Sequence, residues 1–260
     1  MDGLVNRINA GRIRLSRWSD QVISECNSLF KKDEKLPYAY PCDNYLESIL
    51  SRSVVKEALK TVSDKYCQDQ TDKIINNSTL VNSSNYPQFF SLLTDCYHSL
   101  NVDNTPDVYI TPMLPGLNAL SIGTDNKPIV LVSRKAVMQL NESQLSFMIG
   151  HELGHILQKN LMCHTIKGLL DNLSDKSEVV GPLVLDFIDV PLNNWYRCAE
   201  YTADRAGYLC CRNMKEIENL FSHICKNQKV DAYDRLRELS EAHPLVQNRI
   251  EELRKFARTY

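Results

Sequence analysis

The sequence predicts an α+β fold, in which a small β-sheet and several helices form the main domain and a helical extension precedes it. Two patterns support this class: strand and hairpin signals between residues 107 and 133, and helical spacing of apolar residues on either side of them. A stretch at 76–85 is rich in Asn and Ser and poor in residues that pack, which predicts a boundary. We therefore expect an extension over residues 1–80 and the main domain over residues 81–260.

The composition is that of a globular protein with no nucleic-acid partner. A net charge of -2 over 260 residues provides no electrostatic attraction to a polyanion. The N-terminus has no apolar signal region, and no apolar run approaches the ~18 residues that a bilayer crossing needs. The nine cysteines are odd in number and irregular in spacing, which favours free thiols in a reducing compartment. We expect a cytoplasmic protein without a transmembrane segment.

The extension begins with a helical stripe. Apolar residues recur three, four or seven positions apart over residues 4–29, with arginines off the stripe. Such a face packs on the rest of the protein or on a second subunit; a weaker alternative is that residues 4–29 lie on a membrane surface. Two prolines predict an irregular connection over residues 36–42. A second helical region is expected over residues 43–75.

The elements of the main domain follow in a regular order. The apolar patterns and turn residues predict a helix, a strand and the two strands of a hairpin: Phe89–Leu100, Asp107–Thr111, Leu117–Gly123 and Ile129–Ser133. Asn141 and Gln144 have the spacing of a capping box, so a helix is expected to start there and to run to about Lys159.

That last helix carries the residues of a metal site. His151 and His155 are four positions apart, so both imidazoles project from one helical face and can share a tetrahedral ion. Glu152 can reach a water on that ion without being a ligand. This arrangement is typical of zinc hydrolysis, in which the metal acidifies the water and a carboxylate takes its proton.

The third ligand is expected from a later helix. A third histidine close behind the pair is absent, because the sixth position after His155 is Leu161. Glu200 and Asp204 are four apart and share one helical face. One of these carboxylates can bind zinc while the other orients a ligand histidine.

Four groups of residues together resemble a known family. They are Asn118-Ala119, His151 to His155, Glu200 to Asp204 with Gly207, and His243-Pro244 followed by Arg249. Over about residues 87 to 255 the sequence resembles the HtpX-like and CAAX-prenyl-protease-like gluzincins. The resemblance implies a zincin-type metallopeptidase core with an active-site helix, and one zinc ion per chain. It differs from the membrane-embedded members, because residues 165–194 are too polar for transmembrane helices.

The resemblance also implies roles for individual residues. His151, His155 and Glu200 correspond to zinc ligands, and Glu152 to the general base. Asp204 corresponds to a carboxylate behind a ligand histidine.

The remaining family boxes lie on either side of the metal helices. Asn118-Ala119 is similar to the edge strand that binds a substrate backbone. His243 is implied as an oxyanion-stabilising residue. Arg249 is implied as a partner of Asp204 or Glu200, with exposure on a charged C-terminal helix as the alternative.

The leading function is endopeptidase cleavage of peptides or unfolded polypeptide segments. One alternative is a latent enzyme, in which the extension covers the cleft and Cys42 caps the zinc. Another is a non-catalytic protein that keeps the fold as a partner-binding or chaperone-like module. The presence of Glu152 argues against that alternative, because binding alone does not need a base.

Overall fold

The chain is described by a computed structural model over most of the main domain. The described residues are 36–41, 74–124, 127–158, 161, 182–224 and 245–260, and side chains of the helix that begins at Pro182 are described from Tyr196 onward. Residues 4–29, most of the second predicted helical region, Cys42 and His243 lie outside this part of the chain.

One four-stranded sheet lies in the described residues, with the spatial order β1-β2-β4-β3. Its strands are β1 (Thr79–Leu80), β2 (Asp107–Thr111), β3 (Ala119–Thr124) and β4 (Lys127–Ser133). β2 runs parallel to β4, and the outer strands β1 and β3 are antiparallel to their neighbours. β2 has its predicted bounds, and the predicted hairpin is confirmed as β3 and β4 with ends shifted by one or two residues. Among the residues that the structure describes, β3 is therefore an edge strand.

β1 lies within the stretch where the sequence predicts a domain boundary. Thr79 pairs with Ile110 and Leu80 with Tyr109, so the sheet of the main domain starts before residue 81. Two residues with exposed side chains carry no strand pattern, which is why this strand has no sequence signal. The division of the chain at residues 80 and 81 stays a prediction.

Helices pack around this sheet and establish the α+β class that the sequence predicts. They are α1 (Pro87–Leu100), α2 (Arg134–Gln139), α3 (Glu142–Leu157), α4 (Pro182–Cys211), α5 (Met214–Ile224) and α6 (Val246–Ala257). In the described part of the chain, none of these helices combines the length and the apolar content that a bilayer crossing needs.

The start of α3 is fixed by the predicted capping box, which is confirmed. Asn141 Oδ1 accepts a hydrogen bond from the Gln144 main-chain N–H (3.0 Å), and Gln144 Oε1 accepts one from the Asn141 N–H (3.3 Å). Ile149 and Leu153 on the same helix are fully buried. The cap and the apolar face together fix the start and the rotation of α3 in the core.

Small residues bring α3 and α4 unusually close together. A Cβ placed on Gly154 would lie 2.8 Å from Ala203 Cα and 2.9 Å from Ala206 Cβ. A Cβ on Gly150 would lie 2.9 Å from Gly207 Cα. Real Cβ atoms essentially never approach this closely, so both glycines are required by the approach of a neighbouring backbone.

The segment Leu36–Pro41 lies against α4. Its Tyr38 side chain is 4% exposed and belongs to the core. The Tyr40 main-chain N–H donates to Thr202 Oγ1 (3.0 Å), and Arg205 donates to the carbonyl oxygens of Tyr38 and Ala39 at 3.2 and 2.9 Å. The irregular conformation predicted for this segment is confirmed, and the segment is an integral part of the packed structure.

The close approach of α3 and α4 predicts that Gly154→Ala destabilises the protein. Alanine favours a helix by about 1 kcal/mol over glycine, but overpacking against a backbone costs about 1–3 kcal/mol. Because the clash is with a backbone atom, which cannot move aside as a side chain can, we expect the overpacking cost to be about 2–3 kcal/mol and the net loss in the free energy of unfolding to be about 1–2 kcal/mol, measured by denaturant titration with chelator present. Ser99→Ala, at an exposed position of α1, is the control and should change this free energy by less than ~0.5 kcal/mol. A Gly154→Ala protein as stable as the wild type would contradict the packing argument.

Candidate metal centre

His151 and His155 lie one turn apart on α3 and point their rings at a common position. Their Nε2 atoms are 3.1 Å apart, and the two rings are nearly perpendicular, at 88°. The spacing of four residues stacks them on one face of the helix, as the sequence predicts.

Glu200 reaches the same position from α4. Its Oε2 lies 3.7 Å from His151 Nε2 and its Oε1 lies 3.4 Å from His155 Nε2. The Glu200 residue is only 3% exposed, so its carboxylate is withdrawn from water. Among the residues that the structure describes, these three form the group whose donor atoms could hold a metal ion.

The distances and donor types of this group fit a tetrahedral divalent metal. Ligand bonds of about 2.0–2.1 Å in a tetrahedron place the ligand atoms about 3.3–3.4 Å from one another. The two Nε2 atoms are 3.1 Å apart, Glu200 Oε1 lies 3.4 Å from His155 Nε2, and the other Glu200 oxygen, Oε2, lies 3.7 Å from His151 Nε2, so each of these contacts is close to that value. Two imidazole nitrogens with one carboxylate are also the donors of catalytic zinc sites, which keep a fourth position for water or substrate. The His151 side chain retains 13% exposure, so one side of the site is open.

Asp204 orients the ring of His151. Its Oδ1 lies 3.0 Å from His151 Nδ1, and a hydrogen on Nδ1 donated to this carboxylate leaves the Nε2 lone pair facing Glu200 and His155. Asp204 lies one helical turn after Glu200, so α4 supplies both carboxylates from one face.

Arg249 of α6 contacts both carboxylates that α4 supplies, those of Asp204 and Glu200. It donates from Nε to Asp204 Oδ2 (2.8 Å) and from Nη2 to Asp204 Oδ1 (2.6 Å), which is a bidentate pair. Its Nη1 lies 3.3 Å from Glu200 Oε2, and its guanidinium carbon lies 5.0 Å from the centre of the Phe221 ring. The side chain is 15% exposed, so the alternative of an exposed arginine is wrong.

These contacts shift the pKa values of the two residues behind the site. Burial alone raises the pKa of Asp204, but the Arg249 guanidinium and the His151 ring outweigh it and hold that pKa below its usual range. Burial lowers the pKa of His151, but the hydrogen bond that its ring donates to Asp204 and the charge of Glu200 outweigh burial and raise it. Asp204 is therefore ionised. Its carboxylate accepts a hydrogen bond from His151 and so favours the tautomer of that ring with the hydrogen on Nδ1.

Glu152 follows His151 on α3, and its carboxylate contacts strand β3. Its Oε2 accepts a hydrogen bond of 2.7 Å from the main-chain N–H of Ser121 in β3. Ser121 carries no sequence signal, because a main-chain N–H is common to almost every residue type and only the fold brings it to Glu152.

The two predicted substrate-binding residues differ in how their main chains are used. The Asn118 carbonyl accepts from the Ser133 N–H (2.9 Å), and the Asn118 N–H donates to Ser133 Oγ (3.2 Å). Both main-chain groups of Asn118 are therefore bonded within the sheet. Its substrate-binding role stays a prediction. Ala119 is the first residue of β3 and pairs with Val132.

Several other residues lie away from the centre or outside the described part of the chain. His98 is exposed, and exposed His223 contacts the Asn219 carbonyl on its own helix. Cys198 is disulfide-bonded, so the expectation of free thiols is wrong at this position, whereas Cys96, Cys210 and Cys211 are free. The predicted role of His243 remains a prediction, since His243 is not described.

The segment Leu36–Pro41 lies on the side of α4 away from the metal centre. Its contacts Thr202 and Arg205 are rotated about 200° and 140° around the helix from Glu200, at 100° per residue. Residues 37–41 therefore give no support to the latent-enzyme alternative, in which the extension covers the cleft. Cys42, proposed to cap the zinc, lies outside the described residues.

Comparisons with known proteins agree with this geometry. The model of peptidase family M48 matches residues 84–257. The chain is 26% identical over 151 residues to the plastoglobule-localized metallopeptidase 48 of Arabidopsis thaliana. These aligned residues make up 58% of this chain and 43% of that protein. It is 20% identical to a protease HtpX homolog of Helicobacter acinonychis, in an alignment that covers 84% of this chain and 82% of that protein. It is 25% identical to a protease HtpX homolog of Helicobacter pylori, in an alignment that covers 70% of this chain and 71% of that protein. No solved structure matches.

The family match spans well over half of the chain and includes both metal helices and α6. The same residues that converge in space thus lie inside the region that the family shares. The chain belongs to peptidase family M48 and is an HtpX-like metallopeptidase.

Proposed function

We propose that this metallopeptidase is a zinc-dependent endopeptidase in which His151, His155 and Glu200 hold one zinc ion and Glu152 is the general base. The observation that carries the proposal is that one donor atom from each of these three residues lies within 4.8 Å of the other two, while Glu152 on the same helix as the histidines is not among them. Zinc bound there would polarise the substrate carbonyl and acidify a water molecule.

The residues of this chain account for the remaining chemistry. Glu152 accepts a proton from the attacking water as its oxygen adds to the carbonyl carbon. The same carboxyl group then gives the proton to the amide nitrogen as the C–N bond breaks, so that Glu152 returns to its ionised form. Asp204 and Arg249 act behind the site, where they keep the His151 ring in the tautomer that binds metal.

The edge position of β3 supports a peptide or unfolded segment as substrate. Its outward-facing main-chain groups can pair with an extended chain, and a folded domain rarely offers one. Internal segments of a polypeptide can add to such an edge, which favours endopeptidase cleavage. The oxyanion role of His243 and a cytoplasmic location remain predictions.

The non-catalytic alternative receives less support from the site. A binding or chaperone-like module has no use for Glu152, whose buried carboxylate is costly unless it is hydrogen-bonded. The latent form of the enzyme loses the support of residues 37–41, which pack on the far side of α4.

Glu152→Gln separates the base from the metal ligands. This variant should retain about one zinc per chain but lose about 10²–10⁴-fold in kcat on an unfolded protein, because the water has no proton acceptor. His155→Ala should lose both zinc and activity. Zinc is measured by elemental analysis and cleavage with and without chelator.

Glu142→Gln is the matched control for this substitution, since Glu142 is exposed on the same helix. It should keep the zinc content and the kcat of the wild type. A Glu152→Gln enzyme of normal kcat would refute the assignment of the base, and a wild-type protein that binds no zinc would refute the whole proposal.

Asp204→Asn tests the group behind His151. The amide cannot hold the His151 Nδ1 hydrogen as a carboxylate does, so zinc affinity or kcat should fall by about 10–100-fold without being abolished. Competition with a zinc-binding dye measures the affinity. Asp95→Asn, exposed on α1, is the control. Identical zinc affinity and kcat in Asp204→Asn and wild type would show that the contact has no functional role.

A further inference from the structure

The main-chain groups of β3 alternate between β4 and the opposite side, on which the described part of the chain places no further strand. The Ser133 N–H donates to the Asn118 carbonyl, and the register pairs Leu120 with Leu131 and Ile122 with Ile129. In an antiparallel ladder, every second residue bonds to its partner strand. Leu120 and Ile122 therefore face β4, and the N–H and C=O groups of Ala119 and Ser121 face outward.

One of these outward groups is already engaged. The Ser121 N–H donates to Glu152 Oε2 at 2.7 Å, which is the length of a strong, charge-assisted hydrogen bond. Among the described residues, the Glu152 carboxylate makes no hydrogen bond other than this one. Glu152 is 8% exposed, so water does not readily replace the contact.

We propose that the main-chain N–H of Ser121 positions the Glu152 carboxylate. One outward-facing main-chain group of β3 then binds the general base, and the other outward-facing groups bind the substrate. This inference rests on the proposed function of Glu152. Oε2 stays bonded to the Ser121 N–H, while Oε1 takes the proton of the water and later releases it to the leaving nitrogen. The substrate strand pairs with the N–H and C=O of Ala119 and with the C=O of Ser121.

A main-chain donor suits this task because the sheet holds it rigidly. Ser121 lies opposite Val130, a fully buried residue of β4, and its flanking residues Leu120 and Ile122 are both bonded to that strand. The N–H cannot rotate away as a side-chain hydroxyl can. Any movement of β3 therefore also moves the Glu152 carboxylate. A substrate that pairs with β3 restricts the motion of this strand and so of the Ser121 N–H that holds Glu152.

Hydrogen exchange of the Ser121 amide tests the contact without any use of activity. In the full-length protein, this amide should exchange slowly, although it faces the edge of the sheet. In Glu152→Ala its exchange should accelerate by about 10–100-fold, the range expected for loss of a hydrogen bond to a charged group. The Leu120 and Ile122 amides, bonded to β4, are internal controls and should be unchanged. Fast exchange of Ser121 in the wild type, or no acceleration in Glu152→Ala, would overturn the proposal.

Kinetics of two variants at this position test the consequence. Ser121→Pro removes the N–H, and proline is tolerated on an edge strand where the N–H points outward. Ser121→Ala keeps the N–H and removes only the hydroxyl. We expect kcat of Ser121→Pro to be at least about 10-fold below that of Ser121→Ala, but no lower than kcat of Glu152→Gln, which has no base at all. The KM values of the two Ser121 variants should be similar and their zinc contents equal. Ala119→Pro should instead raise KM.

The outcomes separate this proposal from the proposed function. Equal kcat in Ser121→Pro and Ser121→Ala, with zinc-dependent cleavage intact, would refute the positioning role and leave the peptidase function standing. Absence of zinc-dependent cleavage in the wild type would refute the function, and the exchange measurement would still decide whether Ser121 holds Glu152.

Discussion

The close packing of α3 on α4 is the contact on which the metal centre depends. His151 and His155 come from α3 and Glu200 and Asp204 from α4, so the donor atoms meet only if the two backbones approach closely. Glycines on both helices permit that approach, because a Cβ at Gly154 would lie 2.8 Å from a backbone atom of α4. The distances of 3.4 and 3.7 Å between Glu200 and the histidines are therefore a consequence of residue size at the crossing.

Charge complementarity then explains why the centre suits a divalent cation. Glu152, Glu200 and Asp204 bring three carboxylates into one largely buried region, and Arg249 neutralises one of them through its bidentate contact with Asp204. Two negative charges remain beside two imidazoles, and buried charges of one sign are costly unless a counter-charge is supplied. A doubly charged metal ion supplies that charge and uses the donors already present.

Local sequence spacing predicts the chemistry of the site but not the main-chain contacts around it. The residues at positions 151, 155, 200 and 204 are recognisable because a separation of four sets a shared helical face, and the cap at Asn141 is equally local. The two-residue strand β1, the inward turn of the Asn118 main chain and the Ser121 N–H depend on pairing with distant residues. The side of α4 on which residues 36–41 pack depends on tertiary contacts in the same way.

The location of bound zinc decides whether His151, His155 and Glu200 form the metal site. A crystal structure of the zinc-loaded protein, with anomalous diffraction recorded at the zinc edge, would reveal the ion by its own scattering. We expect one strong peak, at about 2.0–2.2 Å from His151 Nε2, His155 Nε2 and a carboxylate oxygen of Glu200. A zinc ion bound elsewhere, for example at about 2.3 Å from cysteine sulfurs, with no peak at these three residues, would contradict it.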